Sequence, residues 1–168
     1  TNTFITNYET RKENNIGLRT FFSLSSEEWD INKLLPSLDI GFEGQRLVSD
    51  IHNYDNHAGV KGDIQAYNDI VNYQFFPFLR TMVKWGDRLT IQAAISFNKN
   101  GYHFRDTTNI KKNFSPVWLP HFAVNYVLTD EVALRLTVSK GYSTPTTAEV
   151  RPADNKIYYN LRPEEGWN

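Results

Sequence analysis

Apolar and polar residues alternate along most of the chain, which is the pattern of β-strands with one apolar and one polar face. In residues 88–98 the odd positions, such as Ile91, are apolar, and the even positions, such as Gln92, are mostly polar. From Val132 to Val138 the even positions are the apolar ones. A helical period of about 3.6 residues is almost absent. The pattern therefore predicts an all-β fold.

Three short turns would join neighbouring strands so that equivalent faces meet. The predicted turns are residues 13–15, 86–88 and 129–131. They would pair Tyr8 with Thr20 and Phe4 with Leu24, Trp85 with Leu89, and Leu128 with Val132. A turn one residue longer or shorter would place apolar residues opposite polar ones. The agreement of all three turns supports antiparallel hairpins.

The remaining connections are longer and more polar. Segments rich in Asn, Asp, Gly and His are predicted as long loops at residues 50–71, 99–117 and 142–160, with an intermediate connection at 26–35. Because successive strands alternate in direction, the turns at 86–88 and 129–131 would share one end of the sheet with residues 26–35. The long loops would lie at the other end. The prediction is an antiparallel up-and-down meander that forms one domain over residues 1–168.

Two architectures fit this meander. In a soluble sandwich or barrel the apolar face is a core, whereas in an outer-membrane barrel it meets lipid and the polar face lines a wet lumen. Strands of roughly 10 residues or more can cross a bilayer when tilted, and aromatic residues such as Trp85 and Trp118 lie near strand ends, as in interface girdles. Mid-strand polar residues would line the lumen, and these are Asp39, Glu43, Arg80, Gln92, Asn125 and Arg135. These features favour the membrane barrel.

Composition narrows the chemistry further. The chain has 168 residues, a net charge of −1 and no stretch that concentrates Lys and Arg, so nucleic acid is not an expected partner. It has no Cys, which excludes disulfides and thiolate chemistry. No run of about 18 apolar residues is present, which excludes a transmembrane helix. No serine or carboxylate pattern indicates catalysis, so we expect neither enzyme activity nor a cofactor.

The polar segment before residue 64 is the best candidate for a metal site. Its potential ligands are Asp50, His52, Asp55, His57 and Asp63. Their spacing matches no metal-binding template, and an external polar loop is the preferred interpretation, so no metal is expected. Aromatic and basic residues in the long loops are instead candidates for contacting an anionic or aromatic ligand, and they are His52, Tyr54, His57, Tyr102, His103 and Arg105.

Two motifs follow one another near the end of the chain. The first consists of Ser139, Gly141, Tyr142, Pro145, Thr146 and Glu149, and the second of Leu161, Pro163 and Glu164. In this order and spacing, residues 119–168 resemble the late barrel of TonB-dependent outer-membrane receptors of the siderophore-receptor type. The resemblance extends over about residues 36–168. Tyr142 stands where the family often has Phe.

The resemblance implies part of a β-barrel of about 22 strands, with strands and a plug domain that we expect to lie outside this chain. The intact receptor would bind a scarce solute at external loops and import it by moving the plug, driven by the TonB complex. Its location would be the outer membrane of a Gram-negative bacterium, in contact with the lipid bilayer. A ferric siderophore or other iron chelate is the first choice of solute, and cobalamin, haem and oligosaccharide remain open. The alternatives are a soluble all-β ligand-binding module and a passive porin-like channel.

The first motif also suggests how its strand ends. Gly141 falls among the alternating positions that would face the lumen, where the lack of a side chain would permit close approach by the plug domain or a turn of the backbone. Tyr142 falls among the alternating positions that would face lipid, near the outer rim, where an amphipathic ring suits an interface. Pro145 cannot donate to the strand ladder and would release the chain into the external loop.

Overall fold

A computed structural model describes residues 7–26, 34–106, 109–151 and 156–168. The elements are β1 (Asn7–Ser25), β2 (Leu34–His57), β3 (Val60–Trp85), β4 (Leu89–Phe104), β5 (Ile110–Asn113), β6 (Val117–Val127), β7 (Ala133–Ser143), α1 (Thr147–Val150) and β8 (Glu164–Trp167). The strand order is β1-β2-β3-β4-β6-β7-β8, with β5 also paired to β4. Every pairing is antiparallel. The all-β antiparallel meander is confirmed.

A bulge separates β5 from β6, which pair with successive parts of β4. Gly101 lies opposite Asn113 in β5, whereas Asn98 lies opposite Val117 in β6, so the partner chain carries one extra residue between the two pairings. Pro116 in this interval has no backbone N–H to donate. The Phe114 N–H still donates to the Asn100 carbonyl at 3.1 Å. The bulge changes the alternation, and the Phe114 side chain becomes buried.

Two of the predicted turns are confirmed. Trp85 pairs with Leu89 across residues 86–88. The Leu128 N–H donates to the Val132 carbonyl at 2.9 Å across residues 129–131. Both turns lie at one end of the sheet, which we call the lower end. The β2–β3 turn lies at the opposite, upper end.

The predicted turn at 13–15 is wrong. Strand β1 runs through these residues, and Glu13 pairs with Ser49 of β2. Tyr8 therefore lies opposite Tyr54 instead of Thr20. A continuous strand preserves the alternation as well as a three-residue turn does, so face matching could not separate the two. Phe4, with its predicted pairing to Leu24, and most of the connection 26–35 lie outside the described residues.

The predicted long loops at 50–71 and 99–117 are also mostly wrong. Residues 50–71 form the upper parts of β2 and β3, which join through a turn at Ala58 and Gly59. Residues 99–104 continue β4, and 110–113 form β5. Both faces of these upper strand segments carry polar side chains, so the alternation that identifies a strand disappears from the sequence. The third predicted loop, residues 142–160, begins with the end of β7 and contains α1.

The sheet has two contrasting faces. Strand register places most of the large apolar side chains in the lower parts of β1–β4, and in β6 and β7, on one side, which we call the apolar face, and these side chains are exposed, for example Ile16 at 71% and Leu136 at 60%. The opposite side, the polar face, carries Asp39, Glu43 and Arg80. Over the described part of the chain, no helix is both long and apolar enough to cross a membrane.

The buried core lies on the polar face at the upper end. Its members are Ile51, Ile70, Tyr102, Phe104, Phe114 and Val150, with Ile157, Tyr159 and Leu161 packed against them. The strand residues of this cluster come from β2, β3 and β4, and Val150 comes from α1. Full burial of such a side chain contributes roughly 1.5–3 kcal/mol. The core therefore joins the segment after β7 to the sheet.

Candidate functional site

Asp39 lies between Ser23 and Arg80 on the polar face and forms an ion pair with Arg80. Ser23, Asp39 and Arg80 lie side by side on β1, β2 and β3, because the register pairs Ser23 with Asp39 and Asp39 with Arg80. The Asp39 carboxylate accepts hydrogen bonds from Ser23 Oγ at 2.6 Å and from Arg80 Nε at 2.7 Å. Arg80 Nη2 lies 2.5 Å from the same carboxylate. Two nitrogens of the Arg80 guanidinium therefore contact Asp39 Oδ2, while Oδ1 accepts from Ser23, and hydrogen bonds between charged groups are stronger than neutral ones.

The other predicted lumen residues lie on the same face. Glu43 pairs across the ladder with Arg19, at 3.8 Å between Oε2 and Nε. Asn125 lies opposite Arg135, and Gln92 lies opposite Met82. All six predicted residues therefore share the polar face. Whether they line a lumen stays a prediction.

A shallow concavity of about 280 Å³ opens on this face. Its polar lining includes Arg19, Asp39, Arg80, Ser96 and His121, and the rings of Phe21 and Phe78 also contribute. The Arg19 guanidinium lies 6.0 Å from the centre of the Phe78 ring. The surface combines charge, hydroxyl and aromatic groups, which suits a wet interior wall better than a dry core.

The first family motif folds into a short segment that lies on the polar face. We call residues 144–151 the strap. Pro145 is buried, and its carbonyl accepts a hydrogen bond from the Tyr102 hydroxyl. Thr146 is the N-cap of α1, and its Oγ1 accepts from the Glu149 N–H at 3.2 Å. The Glu149 carboxylate accepts in return from the Thr146 N–H at 2.7 Å, which completes a capping box.

These hydrogen bonds favour the ionised form of Glu149. The N–H and the hydroxyl of Thr146 both favour the ionised carboxylate and hold the pKa of Glu149 below its ordinary value of 4.5. Desolvation opposes the shift but is the smaller effect. The capping box is therefore intact at neutral pH.

Arg151 anchors the end of the strap and was missed by sequence reasoning. Its side chain is 0% exposed. Its donors reach Asn68 Oδ1 at 2.5 Å, Asn53 Oδ1 at 2.9 Å and Glu9 Oε2 at 3.1 Å. These acceptors belong to β3, β2 and β1. Amide and carboxylate residues on matching strand faces were the only signal in the sequence, and their separation along the chain concealed it.

The second motif returns the chain to the sheet. Leu161 packs against the buried core, and Glu164 of β8 lies opposite Ser143 of β7. Ser139 exchanges backbone hydrogen bonds with Asn168 at 3.0 and 2.9 Å. Pro163 is half-buried between these contacts. The two motifs thus mark the departure from β7 and the return to β8.

The two expectations for the end of β7 have different outcomes. A Cβ on Gly141 would have its nearest neighbours in the described residues at 3.8 Å, and close approach by a plug domain at this position stays a prediction. The expectation that Tyr142 faces lipid is not met. Its hydroxyl donates to Asn100 at 3.3 Å, and Asn100 is buried on the polar face. The β6–β7 pairing ends at His121 and Ser139. Beyond that point the ladder with β6 no longer controls the direction of β7 side chains.

The structure brings two of the candidate ligand contacts together, His52 and Tyr54, but does not gather the set at one site. His52 lies on the side of β2 that continues the apolar face. Its Nε2 contacts Asp50 at 2.8 Å, and its Nδ1 contacts the Tyr54 hydroxyl at 3.1 Å. The Tyr54 ring faces the Lys61 ammonium at 3.7 Å. His57 is exposed at the β2–β3 turn.

The remaining candidates are divided between the two faces. His103 contacts Asn109 at 2.8 Å, and Arg105 pairs with Asp69 at 2.9 Å. Tyr102 is buried under the strap. Contact of these residues with a ligand stays a prediction. In the portions of the chain that the structure describes, no group of three or more metal-ligating side chains is close enough to hold an ion.

These features define a class of protein. An antiparallel meander with an exposed apolar exterior and a charged opposite face has the properties of the wall of a transmembrane β-barrel. A family model described as the TonB dependent receptor-like β-barrel matches residues 1–168. The chain belongs to this family of outer-membrane receptors and transporters, which is not a family of enzymes. The resemblance carried by the two motifs is confirmed.

Proposed function

We propose that the intact receptor imports a ferric siderophore or another iron chelate across the outer membrane of a Gram-negative bacterium. The solute binds at the upper end of the barrel and passes along the polar face after the plug domain moves. The TonB complex supplies the energy through that plug. The step consists of binding and gated passage, and no bond of the solute is made or broken.

The contrast between the two faces is the observation that carries this proposal. The apolar face exposes large side chains such as Leu134 at 59% and Leu136 at 60%, which a soluble binding module would bury. The polar face instead carries the Asp39–Arg80 pair and the Arg19–Glu43 pair, which suit a hydrated passage. Iron chelates are the first choice because they are the commonest solute class of the family.

The identity of the solute is tested by producing the full-length receptor in a bacterial strain that otherwise lacks this receptor. The strain is supplied in turn with a ferric siderophore, haem, cobalamin and an oligosaccharide, under limitation for the corresponding nutrient. We expect the receptor to restore growth and uptake of radioactive iron from one or more iron chelates, and only while the TonB complex is active. Restoration by haem, cobalamin or oligosaccharide alone would reassign the substrate. Uptake that persists without the TonB complex would indicate a passive channel.

A further inference from the structure

The strap crosses the polar face from one side of the described sheet to the other. It leaves β7 at Ser143, and Pro145 contacts Tyr102 of β4. Arg151 then contacts β3, β2 and β1. Neighbouring strands lie about 4.8 Å apart, so the path from β7 to β1 covers about 24 Å. A segment of eight residues and one long side chain therefore links strands that are far apart in the sheet.

The contacts of Arg151 are too specific for a solvated surface arginine. A guanidinium with no exposed surface must satisfy its donors within the protein. Asn68, Asn53 and Glu9 supply the oxygens, and the two asparagines are themselves buried on the polar face. Glu9 also pairs with Arg11 at 3.1 Å, so its carboxylate keeps a cationic partner if Arg151 is removed. The site is built for the planar fork of arginine, which lysine does not reproduce.

Pro145 and Val150 complete the attachment to the sheet. The Pro145 carbonyl accepts from the Tyr102 hydroxyl of β4, and Val150 is 2% exposed within the apolar core. The strap is therefore held by a hydrogen bond near its start, and by an apolar contact and a buried cation at its end, while the capping box of Thr146 and Glu149 orders α1 between them. A loop that must leave the wall during solute entry would have to break all three contacts with the sheet.

From this geometry we propose that Arg151 is a positioning residue that fastens the strap to β1, β2 and β3 and so fixes the inner wall of the receptor mouth before a solute arrives. The strap is part of the binding surface and does not act as a moving gate. The functional part of this inference rests on the proposed import of a solute. The structural part does not, because the fastening consists of contacts within this chain.

The structural part is tested by amide hydrogen exchange on the full-length receptor in lipid nanodiscs, without solute. The reporters are the N–H groups of Val150 and Arg151, which donate to Thr146 and Thr147 at 3.0 and 2.9 Å, and of Tyr158, which donates to Val150 at 2.8 Å. For Arg151→Ala we expect these amides to exchange at least about ten-fold faster, since removal of one partner leaves buried polar groups unsatisfied. Residues of β6 and the lower part of β4 should exchange as in the wild type.

Three variants separate fastening from a general effect of charge or packing. Arg162→Ala removes the same charge from the same connection, where Arg162 is exposed, and should leave the strap amides unchanged. Arg151→Lys keeps the charge without the fork and should give an intermediate acceleration. Glu9→Gln should have a small effect, since Asn53 and Asn68 still accept from Arg151. Equal exchange in Arg151→Ala and wild type, or equal acceleration in Arg162→Ala, would overturn the assignment.

A second measurement addresses the mouth. Uptake of the iron chelate that supports growth is measured against its concentration in cells that carry each variant at equal surface level. Arg151→Ala should raise the half-saturating concentration several-fold with little loss of maximal rate, because a loose strap must first be ordered. A fall in maximal rate alone would contradict a positioning role. If no iron chelate is transported, the proposed function fails while the exchange result still decides the fastening.

Discussion

Gly41 marks a close approach between β1 and β2 on the polar face. A Cβ at this position would lie 2.4 Å from the Thr20 carbonyl oxygen and 2.6 Å from the Cβ of Phe21. Gly41→Ala should therefore destabilise the folded receptor by about 1–3 kcal/mol, a typical cost of overpacking. Urea unfolding of the full-length receptor in lipid vesicles measures the free energy of unfolding.

Gly44→Ala is the matched control for this prediction. It lies in the same strand, and its added Cβ would have the nearest neighbour at 3.9 Å. That change should be neutral or slightly stabilising, because glycine in a strand loses more backbone entropy on folding than alanine does. Similar losses in both variants would show that the approach to Phe21 does not limit the packing.

The capping box predicts a pH dependence of the strap. Because the pKa of Glu149 is lowered in the folded state, its contribution is fully present above the unfolded pKa and is lost as the pH falls through the folded value. Exchange of the strap amides, corrected for intrinsic rates, should therefore accelerate below about pH 4.5. Glu149→Gln keeps an acceptor for the Thr146 N–H but cannot titrate. It should remove this pH dependence, and an unchanged dependence in that variant would assign it to another group.

At the scale of elements, the sequence of the β2–β3 turn is not one that predicts a tight hairpin turn. Ala58 and Gly59 have φ angles of 53° and 92°, the left-handed conformation that tight hairpin turns require at both central positions. Asn is the residue usually found where Ala58 stands, since it tolerates positive φ better than alanine. Ala58→Asn should slow amide exchange in the hairpin, and Gly59→Val should accelerate it several-fold. The opposite order would show that the turn conformation differs from the one described.

Whether the sequence could predict a strand depends on whether one of its faces is apolar or both are polar. Where one face is apolar, as in residues 88–98, alternation identified the strand and the turn beside it. In the upper parts of β2 and β3, residues such as Asp50 and Asn68 make both faces polar, so strands looked like loops. Near Glu13, a straight strand and a three-residue turn place the same residues on the same faces. Only the observed pairing of Glu13 with Ser49 shows that the strand is continuous.

The candidate site was predictable to a similar extent. The polar face followed from alternation alone, so Asp39 and Arg80 could be placed on one wall. The strap motif was recognised from Pro145 and Glu149, although its attachment was not. Arg151 finds its partners 83, 98 and 142 positions away. No local pattern encodes such separations, because they depend on the register of β1, β2 and β3 together.

At the scale of the whole molecule, successive residues of one strand lie on the apolar face and on the polar face, which the proposed function assigns to lipid and to the lumen. Leu136 lies on the apolar face of β7 and is 60% exposed, while the next residue, Thr137, points to the polar face opposite Ala123. Under that assignment, the same substitution at the two positions places the same charge once in lipid and once in water. This arrangement gives a direct test of the assignment of faces.

Leu136→Arg should impair assembly of the full-length receptor in lipid vesicles, because a charge facing lipid near the bilayer midplane costs roughly 2–4 kcal/mol. Thr137→Arg should assemble nearly as the wild type does, because a hydrated interior solvates the guanidinium. The folded fraction is measured from the heat-sensitive shift in electrophoretic mobility after folding into vesicles, with urea titration to obtain the free-energy difference. A larger defect for Thr137→Arg would reverse the assignment of the two faces. Equal defects would mean that neither face contacts lipid, and the exposed apolar side chains of β7 would then pack against protein.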